Sequence, residues 1–517
     1  MKWKVLPKKS DDLIEQLLIN RGIEKKEKET FFNPKISDFD KDLKILGVEN
    51  AVKRILKAKE KRELIVIFGD YDVDGICASA ILYKALSSIG VKALPYIPHR
   101  EKEGYGLSKL GLDFARDSGA SVVITVDNGI VAYEAAKYAK ELDLDLIITD
   151  HHVKGNKLPD AFEIVHSTKM CGAGVAWCLI AHSSFGGKDL VKKDLEKELL
   201  QFVALATICD LIPLVDLGRA FVFEGLKVLN TTTNLGLLSL ISECQIHLGE
   251  IGSFEIGYIL GPRLNAIGRL EHAIDALRLL CTKDPVKAKG LAKLLCETNT
   301  ERQKLTLEAI QEAKLLVSEE KTVHVVSSKD WVPGIIGLIA GKITEEYYRP
   351  SIAISLGKEI SKGSARSVDG INIIEVIREF SDILLDVGGH PGAAGFSIKT
   401  KHIKIFKERI EKAIKIIPSE KVLEIDAEIK SSDLNQKLVE QIKRFEPFGF
   451  GNPRPILETN GMKISDIKTV GQGKHLKFKA DNIDVIAFGM GQLAANLSNG
   501  QTISLAYTPE IDTYNEA

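Results

Sequence analysis

Residues 64–75, Leu-Ile-Val-Ile-Phe-Gly-Asp-Tyr-Asp-Val-Asp-Gly, join an apolar run of strand length to a short acidic loop. The loop carries three alternating carboxylates, Asp70, Asp72 and Asp74, between two glycines. Carboxylates this close repel one another, and cations bound among them would relieve that repulsion. The alternative is a polar turn whose aspartates cap the helix predicted over 77–89. The rest of the chain has to distinguish between these two interpretations.

Apolar runs of strand length alternate with helical stretches from residue 63 onward. The predicted strands cover 64–68, 92–97, 122–126, 145–149 and 163–165, with helices over 77–89, 107–118 and 131–142 between them. This alternation predicts an α/β fold with a mostly parallel sheet and helices on both faces. Ligands bind at the carboxyl ends of the strands in such sheets.

Residues that can bind metals stand at the ends of further predicted elements. They are Asp127 after strand 122–126, Asp150-His151-His152 after strand 145–149, and Asp210 after the apolar segment 199–209. Taken singly, each aspartate is explained better as a turn or cap residue than as a ligand. Together they place four or five carboxylates and at least one imidazole at one edge of the predicted sheet.

The donor types indicate which metal such a cluster would bind. Oxygen and nitrogen ligands without sulfur favour Mn²⁺ or Mg²⁺ over a structural zinc ion. A cluster of this size can hold two ions about 3.5–4 Å apart, an arrangement used for in-line attack at phosphorus. The pattern therefore predicts metal-dependent hydrolysis of a phosphodiester.

Size and composition bound the remaining possibilities. A chain of 517 residues is expected to form about three domains. Its net charge of −1 confines any nucleic-acid-binding surface to a local patch. The seven cysteines include no Cys-x-x-Cys pair and are expected to be reduced thiols of a cytoplasmic protein. No apolar run approaches the length of a membrane helix, about 18 residues, and the N-terminus lacks a signal-peptide core.

Four motifs in this order resemble those of the DHH phosphoesterase superfamily, and most closely its RecJ branch of single-strand-specific exonucleases. They are Asp-Tyr-Asp-Val-Asp-Gly at 70–75, Val-Asp-Asn-Gly at 126–129, Asp-His-His at 150–152 and Cys-Asp-Leu-Ile-Pro-Leu at 209–214. The resemblance implies two ions, Mn²⁺ or Mg²⁺, held by Asp72, Asp74, Asp127, His151 and Asp210.

The resemblance also implies roles for individual residues in catalysis. Asp127 would bridge the two ions, and His152 would face the scissile phosphate. Asp70 matches a RecJ-type position and would either bind an ion or support the residues that do.

RecJ-like proteins resemble this chain over nearly its whole length, and the resemblance implies a division into five segments. These are a lead (1–45), a DHH domain (46–215), a helical connector (216–320), a smaller α/β DHHA1 domain (321–418) and an OB-like β-barrel (419–517). A single helix predicted over 285–320 would link two domains across a cleft.

Two glycine-rich runs are candidates for phosphate binding. The run 388–395, with Gly388, Gly389 and His390, predicts either a backbone-amide cradle with His390 over the metal cluster, or a tight turn packed under a helix. Arg263 and Arg269 lie in the run 257–269, where they either contact phosphates or form ion pairs with acidic helices.

The resemblance implies a separate site for the end of the substrate. Arg100, Ser364 and Arg366 would bind the terminal 5′ phosphate, for which the planar guanidinium group is well suited. A fixed pocket for the 5′ end would make the enzyme an exonuclease.

Alternation of residue types near the C-terminus predicts a short strand with two different faces. Leu476, Phe478 and Ala480 would form an apolar row, and His475, Lys477 and Lys479 a basic row, which suits an OB-like barrel that binds a single strand. An ordinary solvated lysine face is the alternative. No closing strand is recognisable, so either the barrel is incomplete or the sequence is a fragment.

These observations lead to one predicted function and two alternatives. The prediction is a metal-dependent 5′→3′ exonuclease that releases 5′-mononucleotides from single-stranded DNA in repair and recombination. Its polarity and DNA preference come from the resemblance alone, as do partners such as a single-strand-binding protein and a helicase. The alternatives are a DHH phosphoesterase acting on short oligonucleotides or cyclic dinucleotides, and a non-catalytic single-strand-binding relative.

Overall fold

The computed structural model describes residues 2–100, 103–104, 106–181, 190–415 and 420–511. The chain forms two compact units, one of residues 35–419 and one that joins residues 1–34 to 420–517. The predicted boundary between residues 418 and 419 lies outside the described residues. Within the described ranges, none of the helices combines the length and apolar character that crossing a membrane requires.

The N-terminal segment contributes strand β1 (Lys2–Val5) and helices α1 (Leu13–Asn20) and α2 (Lys28–Phe32) to the smaller unit. The larger unit then begins with a short helical turn and a parallel-sheet region. Its elements are α3 (Asp40–Leu43), α4 (Val48–Lys61), β2 (Leu64–Phe68), α5 (Val73–Ser88), β3 (Lys92–Tyr96), α6 (Lys109–Asp117), β4 (Ala120–Val126), α7 (Tyr133–Glu141), β5 (Asp145–Asp150) and β6 (Glu163–His166).

The predicted parallel sheet is confirmed. Its strand order is β3-β2-β4-β5-β6, and all neighbouring strands run parallel. Successive residues of β2 enter different cores, because Ile65 and Ile67 pack in one apolar cluster and Val66 and Phe68 in another. Helices therefore cover both faces, and the carboxyl ends of the strands converge at one edge.

A helical region follows the parallel sheet. It comprises α8 (Gly172–Ile180), α9 (Lys193–Cys209), α10 (Asp216–Leu229), α11 (Leu235–Glu243), a π-helix (Glu255–Leu260), α12 (Gly261–Leu270), α13 (Ile274–Cys281) and α14 (Pro285–Leu315). The long linking helix begins at the predicted residue, where Asp284 caps its N-terminus. Its 31 residues end at Leu315, earlier than predicted, and a turn closed by Ser318 and Lys321 follows.

The second sheet of the larger unit is mixed, as expected for a smaller α/β domain. Its region contains β7 (His324–Ser328), α15 (Ile336–Tyr347), β8 (Ser351–Ser355), β9 (Ile360–Arg366), α16 (Ile373–Arg378), β10 (Leu384–His390), β11 (Ala393–Lys399) and α17 (Ile403–Ala413). The strand order is β10-β11-β9-β8-β7, and only β7 and β8 are parallel.

The C-terminal part of the smaller unit is a curled five-stranded half-barrel. This part of the chain contains β12 (Val422–Ile425) and α18 (Gln436–Lys443), and the five strands of the half-barrel are β13 (Ala427–Glu428), β14 (Leu457–Val470), β15 (His475–Ala480), β16 (Ile483–Ala487) and β17 (Thr502–Tyr507). The long strand β14 pairs with β13 and β17 through its first half and with β15 through its second. The described residues include no ladder that joins β16 to β13 or β17.

The two predicted rows on β15 are confirmed as an inner and an outer row. Leu476, Phe478 and Ala480 are buried at 2%, 3% and 0% exposure, and the residues between them are half-buried. The apolar row packs in a core with Met462 and Ile464 of β14. Alternation along the strand thus fixes which face carries the lysines.

The N-terminal segment completes the core of the smaller unit. Strand β1 pairs in parallel with β12. The rings of Phe31 and Phe32 meet Phe445 edge-on at 5.6 and 5.2 Å between centroids. Leu17, at 0% exposure, packs in the same cluster. Residues 1–34 are therefore part of the sheet and the hydrophobic core of this unit, whereas the sequence predicted only a polar lead.

We expect Leu17→Ala to lower the free energy of unfolding of the smaller unit by about 2–5 kcal/mol, because it opens a cavity in this core. Hydrogen exchange of residues 422–507 measures the effect. Leu493→Ala, which truncates a leucine that is 40% exposed in the same unit, serves as the control and should change the free energy by less than about 0.5 kcal/mol. Equal exchange rates in both variants would contradict the structural role of the N-terminal segment.

His324 is buried at the start of β7 with 2% exposure, and neither ring nitrogen has a hydrogen-bond partner among the described residues. Its ring lies edge-on to Tyr347, with 5.3 Å between centroids. Burial, with smaller contributions from Arg349 and Lys321, lowers the pKa of His324 below its ordinary value. Folding therefore favours the neutral form of this imidazole.

Stability is expected to fall as the pH falls below about 6.5, because the unfolded chain then takes up a proton at His324 that the folded chain does not. The loss is limited to about 1.4 kcal/mol per pH unit for one proton. His324→Leu should flatten this part of the pH dependence in thermal unfolding between acidic and neutral pH. His247→Leu, at an exposed position, is the control, and an unchanged slope in His324→Leu would refute the assignment.

Candidate metal centre

The loop after β2 both caps a helix and presents carboxylates. Asp72 is the N-cap of α5, and its Oδ1 accepts hydrogen bonds from the N–H groups of Asp74 at 3.0 Å and Gly75 at 3.1 Å. One carboxylate oxygen of Asp72 is thereby used, and the second is left for another partner. The sequence left a helix-capping turn and a metal-binding loop as alternatives. Asp72 can serve both purposes, because only one of its oxygens caps the helix.

The N-terminus of α8 holds the carboxylate of Asp74. The N–H groups of Gly172 and Ala173 donate to its two oxygens at 2.6 and 2.7 Å. The first turn of a helix favours negative charge, because its N–H groups have no partners within the helix. This contact fixes the orientation of a side chain that is only 2% exposed.

His151 lies at the centre of the acidic cluster. Its Nε2 is 3.1 Å from Oδ1 of Asp127 and 3.6 Å from an Oδ2 of both Asp74 and Asp210. Asp127 directly follows β4 with a positive φ of 62°, and Asp210 caps the C-terminus of α9. Residues far apart in sequence thus meet at the predicted sheet edge.

Asp150 organises the two histidines that follow it. Its Oδ1 accepts from the N–H groups of His151 and His152, and lies 2.8 Å from Nδ1 of His152. Its Oδ2 accepts from the N–H of Ile130 at 2.8 Å. Asp150 therefore positions His152, and both of its carboxylate oxygens accept hydrogen bonds. The sequence indicated Asp150 only as part of a motif, because its hydrogen-bonding role depends on the folded loop.

The electrostatics of the cluster reflect burial and mutual repulsion. Burial, followed by the charges of Asp74, Asp72, Asp70 and Asp210, raises the pKa of Asp127 well above its ordinary value. Burial and the charges of Asp74 and Asp72 raise the pKa of Asp210 to about 9. The carboxylates cannot all carry charge at neutral pH without cations among them.

The pKa values of the two histidines are shifted in opposite directions. Burial lowers the pKa of His151, which favours the neutral imidazole, the form that binds a metal. Burial also opposes the charge on His152, but the hydrogen bond and the charge of Asp150 outweigh it and raise the pKa of His152. The adjacent imidazoles are therefore suited to different tasks.

The donor set fits divalent metal ions. Three groups of side chains each offer ligand atoms within 4.8 Å of one another: Asp74, His151 and Asp210; Asp127, His151 and His152; and Asp70, Asp72 and Asp127. The buried Oδ1 of Asp70 has no hydrogen-bond partner among the described residues. Oxygen-rich ligands with one or two imidazoles are typical of Mn²⁺ and Mg²⁺ sites.

Comparison with known proteins agrees with this site. Three family models match: the DHH family N-terminal domain over residues 64–207, the DHHA1 domain over 319–417 and the RecJ OB domain over 425–517. The single-stranded-DNA-specific exonuclease RecJ of Haemophilus influenzae is 31% identical, over 91% of this chain and 88% of that protein. The chain belongs to the RecJ family.

Other RecJ proteins are similar over comparable lengths. RecJ of Bacillus subtilis is 35% identical over 97% of this chain, which spans 66% of the length of that relative. The structure of Thermus thermophilus RecJ in complex with Mn²⁺ matches with a TM-score of 0.83 and 27% identity, covering 99% of this chain and 80% of that one. The same protein is known in complex with Mg²⁺.

A second charged cluster, formed by arginines, lies in the larger unit. Arg269 donates to the backbone oxygen of Gly334 at 3.0 Å. Burial, followed by the guanidinium groups of Arg100, Arg302 and Arg366, lowers the pKa of Arg269 to about 10. Four like charges are thus close enough to repel one another. Arg302 was not among the predicted site residues, since its proximity depends on the packing of α12 against α14.

The structure brings two predicted phosphate-binding residues into contact. Nη1 of Arg366 donates to Oγ of Ser364 at 3.3 Å, and both side chains lie beside Gly337 in the first turn of α15. Arg100 lies over the ring of Tyr71, with its guanidinium carbon 4.8 Å from the centroid. Tyr71, which lies between Asp70 and Asp72 in the acidic loop, therefore also contacts a member of the arginine cluster.

The run 388–395 forms a β-hairpin of β10 and β11. Gly389 has a φ of 145°, and a Cβ at this position would collide with the backbone of Ala393. The hairpin therefore requires glycine here for structural reasons. Gly388 faces open space and His390 is exposed at the end of β10. A cradle formed by this run remains a prediction.

Arg263 differs from the other predicted arginines. Its Nη1 donates to the backbone oxygen of Ile259 at 2.7 Å, and its buried Nε has no partner among the described residues. The nearby Asn265 accepts from the N–H of Val73 at 3.1 Å and so ties α12 to the acidic loop. Sequence reasoning missed Asn265, because no local pattern marks such a long-range contact.

We expect Asp127→Asn to raise the thermal midpoint of the metal-free larger unit by about 2 °C or more, because it removes one of several repelling buried charges. Asparagine also tolerates the positive φ at this position. In the unchanged protein, Mn²⁺ at a hundredfold excess over its Kd should add about 2.7 kcal/mol of stability. The variant should lose that gain.

Asp143→Asn is the matched control, since Asp143 also has a positive φ, 55°, but is exposed. It should leave both the metal-free midpoint and the Mn²⁺-dependent gain unchanged. Retention of the full Mn²⁺ effect in Asp127→Asn would exclude Asp127 as a ligand.

Proposed function

We propose that this protein is a metal-dependent 5′→3′ exonuclease that hydrolyses single-stranded DNA to 5′-mononucleotides, with Mn²⁺ or Mg²⁺ bound in the acidic cluster. The observation that carries the proposal is the set of buried carboxylates around the neutral imidazole of His151. Membership of a family whose relatives are named single-stranded-DNA-specific exonucleases supports the substrate.

Asp72, Asp74, Asp127, His151 and Asp210 are the proposed ligands, and Asp70 lies beside Asp72 and Asp127 as a further candidate. Divalent ions bound there would act as Lewis acids and supply a nucleophile from water at neutral pH. The chain itself orients the ligands, through the N–H groups of α8 on Asp74 and those of the loop on Asp72. This preorganisation lowers the cost of aligning the scissile phosphate.

His152 is the proposed catalytic residue at the scissile phosphate. Asp150 holds its Nδ1 and raises its pKa, so the ring can carry a proton at neutral pH. A protonated imidazole can donate a hydrogen bond to a phosphate oxygen and stabilise the charge that develops there. Its side chain is 31% exposed, which leaves it accessible to a substrate.

The arginine cluster supports the direction of the reaction. Arg100, Ser364 and Arg366 are the proposed ligands of the 5′ phosphate. Ser364 and Arg366 lie beside the N-terminal turn of α15, which also favours an anion. Gly388, Gly389, His390 and Arg263 are proposed to contact the substrate backbone. The same proposal includes a role in repair and recombination and a cytoplasmic location. It also includes a single-strand-binding protein and a helicase as partners.

One assay tests the reaction. A single-stranded oligonucleotide labelled at its 5′ end, and an identical one labelled at its 3′ end, are incubated with Mn²⁺, Mg²⁺ or chelator. The 5′-labelled strand should release mononucleotides first, and chelator should abolish release. Activity confined to dinucleotides would favour a short-oligonucleotide phosphoesterase, and binding without cleavage would favour a non-catalytic relative.

We expect Arg366→Lys to lower kcat/KM for a 5′-phosphorylated strand by about tenfold or more, because lysine cannot form a bidentate contact with phosphate. The same variant should change kcat/KM for a 5′-hydroxyl strand far less. Arg378→Lys, at an exposed position of the neighbouring helix α16, is the control for the substitution itself. Equal losses on both strands would assign Arg366 to a general structural role.

A further inference from the structure

Two exposed aromatic side chains form a stacked pair at the start of the helix that borders the metal centre. The rings of Phe254 and Tyr258 lie 5.0 Å apart at 26°, and the side chains are 54% and 72% exposed. Two exposed aromatic rings stacked on each other form a larger apolar surface than a single exposed side chain, and such surfaces often bind a partner. Neither residue belongs to the metal centre or to the arginine cluster.

The local backbone around this pair is unusual. Residues 255–260 form a π-helix that continues into α12 without interruption. π-helical turns are rare and occur frequently at functional sites. Phe254 and Tyr258 are four residues apart and so lie on the same helix face, where their rings stack. The π-helical turn thus distinguishes this segment from an ordinary helix start.

Two glycines of the same helical segment pack against the residues that lead to Asp210. Gly261 lies directly against Cys209, and a Cβ at Gly257 would be 3.7 Å from Ile208. Farther along, Asn265 bonds to the N–H of Val73 at 3.1 Å in the acidic loop. One helix thus borders the metal centre along its length and exposes the aromatic pair at its N-terminal end.

Arginines continue the same helix toward the arginine cluster. Arg263 follows the aromatic pair and contributes to lowering the pKa of Arg302, after burial, and Arg302 in turn neighbours Arg269. Roughly 16 Å of helix separates Tyr258 from Arg269. A strand bound to these arginines through its phosphates would have bases within reach of the exposed rings.

We propose that Phe254 and Tyr258 form a stacking platform for bases of the single-stranded DNA, beyond the nucleotides held at the metal centre. The proposal rests on the proposed function for the identity of the strand. Aromatic side chains bind bases of any sequence, since every base has a π-face. The platform would therefore increase affinity for long strands without selecting a sequence.

The test measures binding of a 5′-phosphorylated strand of about 20 nucleotides by fluorescence anisotropy at fixed salt, with chelator present to prevent cleavage. Phe254→Ala with Tyr258→Ala should raise Kd by about 10- to 100-fold, as expected for two lost base contacts. A 5′-phosphorylated dinucleotide, which spans roughly 7 Å when stacked, should bind equally to both proteins.

A strand of the same length with abasic positions shows whether base stacking is responsible. It should bind the unchanged protein more weakly than the normal strand, and the double variant should not distinguish the two strands. Phe254→Tyr with Tyr258→Phe should retain tight binding. Phe162→Ala is the matched control, because Phe162 is 48% exposed just before β6, an edge strand of the parallel sheet.

An unchanged Kd in the double alanine variant, or equal discrimination of the abasic strand by both proteins, would overturn the platform. An unchanged Kd with an altered molecular mass in solution would instead identify the pair as a protein contact, which also overturns it. Failure of the unchanged protein to cleave DNA would refute the proposed exonuclease. The platform would still be tested by Kd, so the two failures are distinguishable.

Discussion

Repulsion among buried carboxylates is the constraint on which the larger unit depends. Asp70, Asp74 and Asp127 are each only 2% exposed, although burial of a charge is costly unless it is compensated. The helix α8 compensates Asp74, and the backbone of the loop compensates Asp72. Asp127 and Asp210 keep strongly raised pKa values despite these contacts. The folded chain thus provides the positions of the carboxylates and leaves their charge to be balanced by bound cations.

The arginine cluster carries the opposite, positive charge, which is likewise not fully compensated among the described residues. Arg100, Arg302 and Arg366 all act to lower the pKa of the buried Arg269, so these guanidinium groups destabilise one another until an anion lies among them. A terminal phosphate would offer negative charge to the arginine cluster, whereas the carboxylate cluster needs bound cations before a phosphodiester can approach it. Because Tyr71 contacts Arg100 and directly precedes Asp72, the spacing between the clusters is set within a few residues of one loop.

The parallel sheet was predictable because its strands are buried on both faces and appear as continuous apolar runs. The five predicted strands agree with the observed ones within two residues, and the convergence of the carboxylates follows from parallel topology. The pairing of β1 with β12 was not predictable, since it joins residues about 420 apart with no local signal. The hydrogen bonds of Asp150 and the proximity of Arg302 to Arg269 likewise depend on tertiary packing.

The helix from residue 253 to 270 contacts both loops of the acidic cluster and carries Arg269 of the arginine cluster. Its contacts at Gly261, Asn265 and Gly268 reach Cys209, Val73 and Tyr71, which flank proposed ligands on two different loops. A helix is stiff over this length, so any strand bound along it is positioned relative to the acidic cluster by the same contacts. Binding energy gained far from the scissile bond can then be used to align that bond. This explains why a small hydrolytic centre is built into so extended a framework of helices.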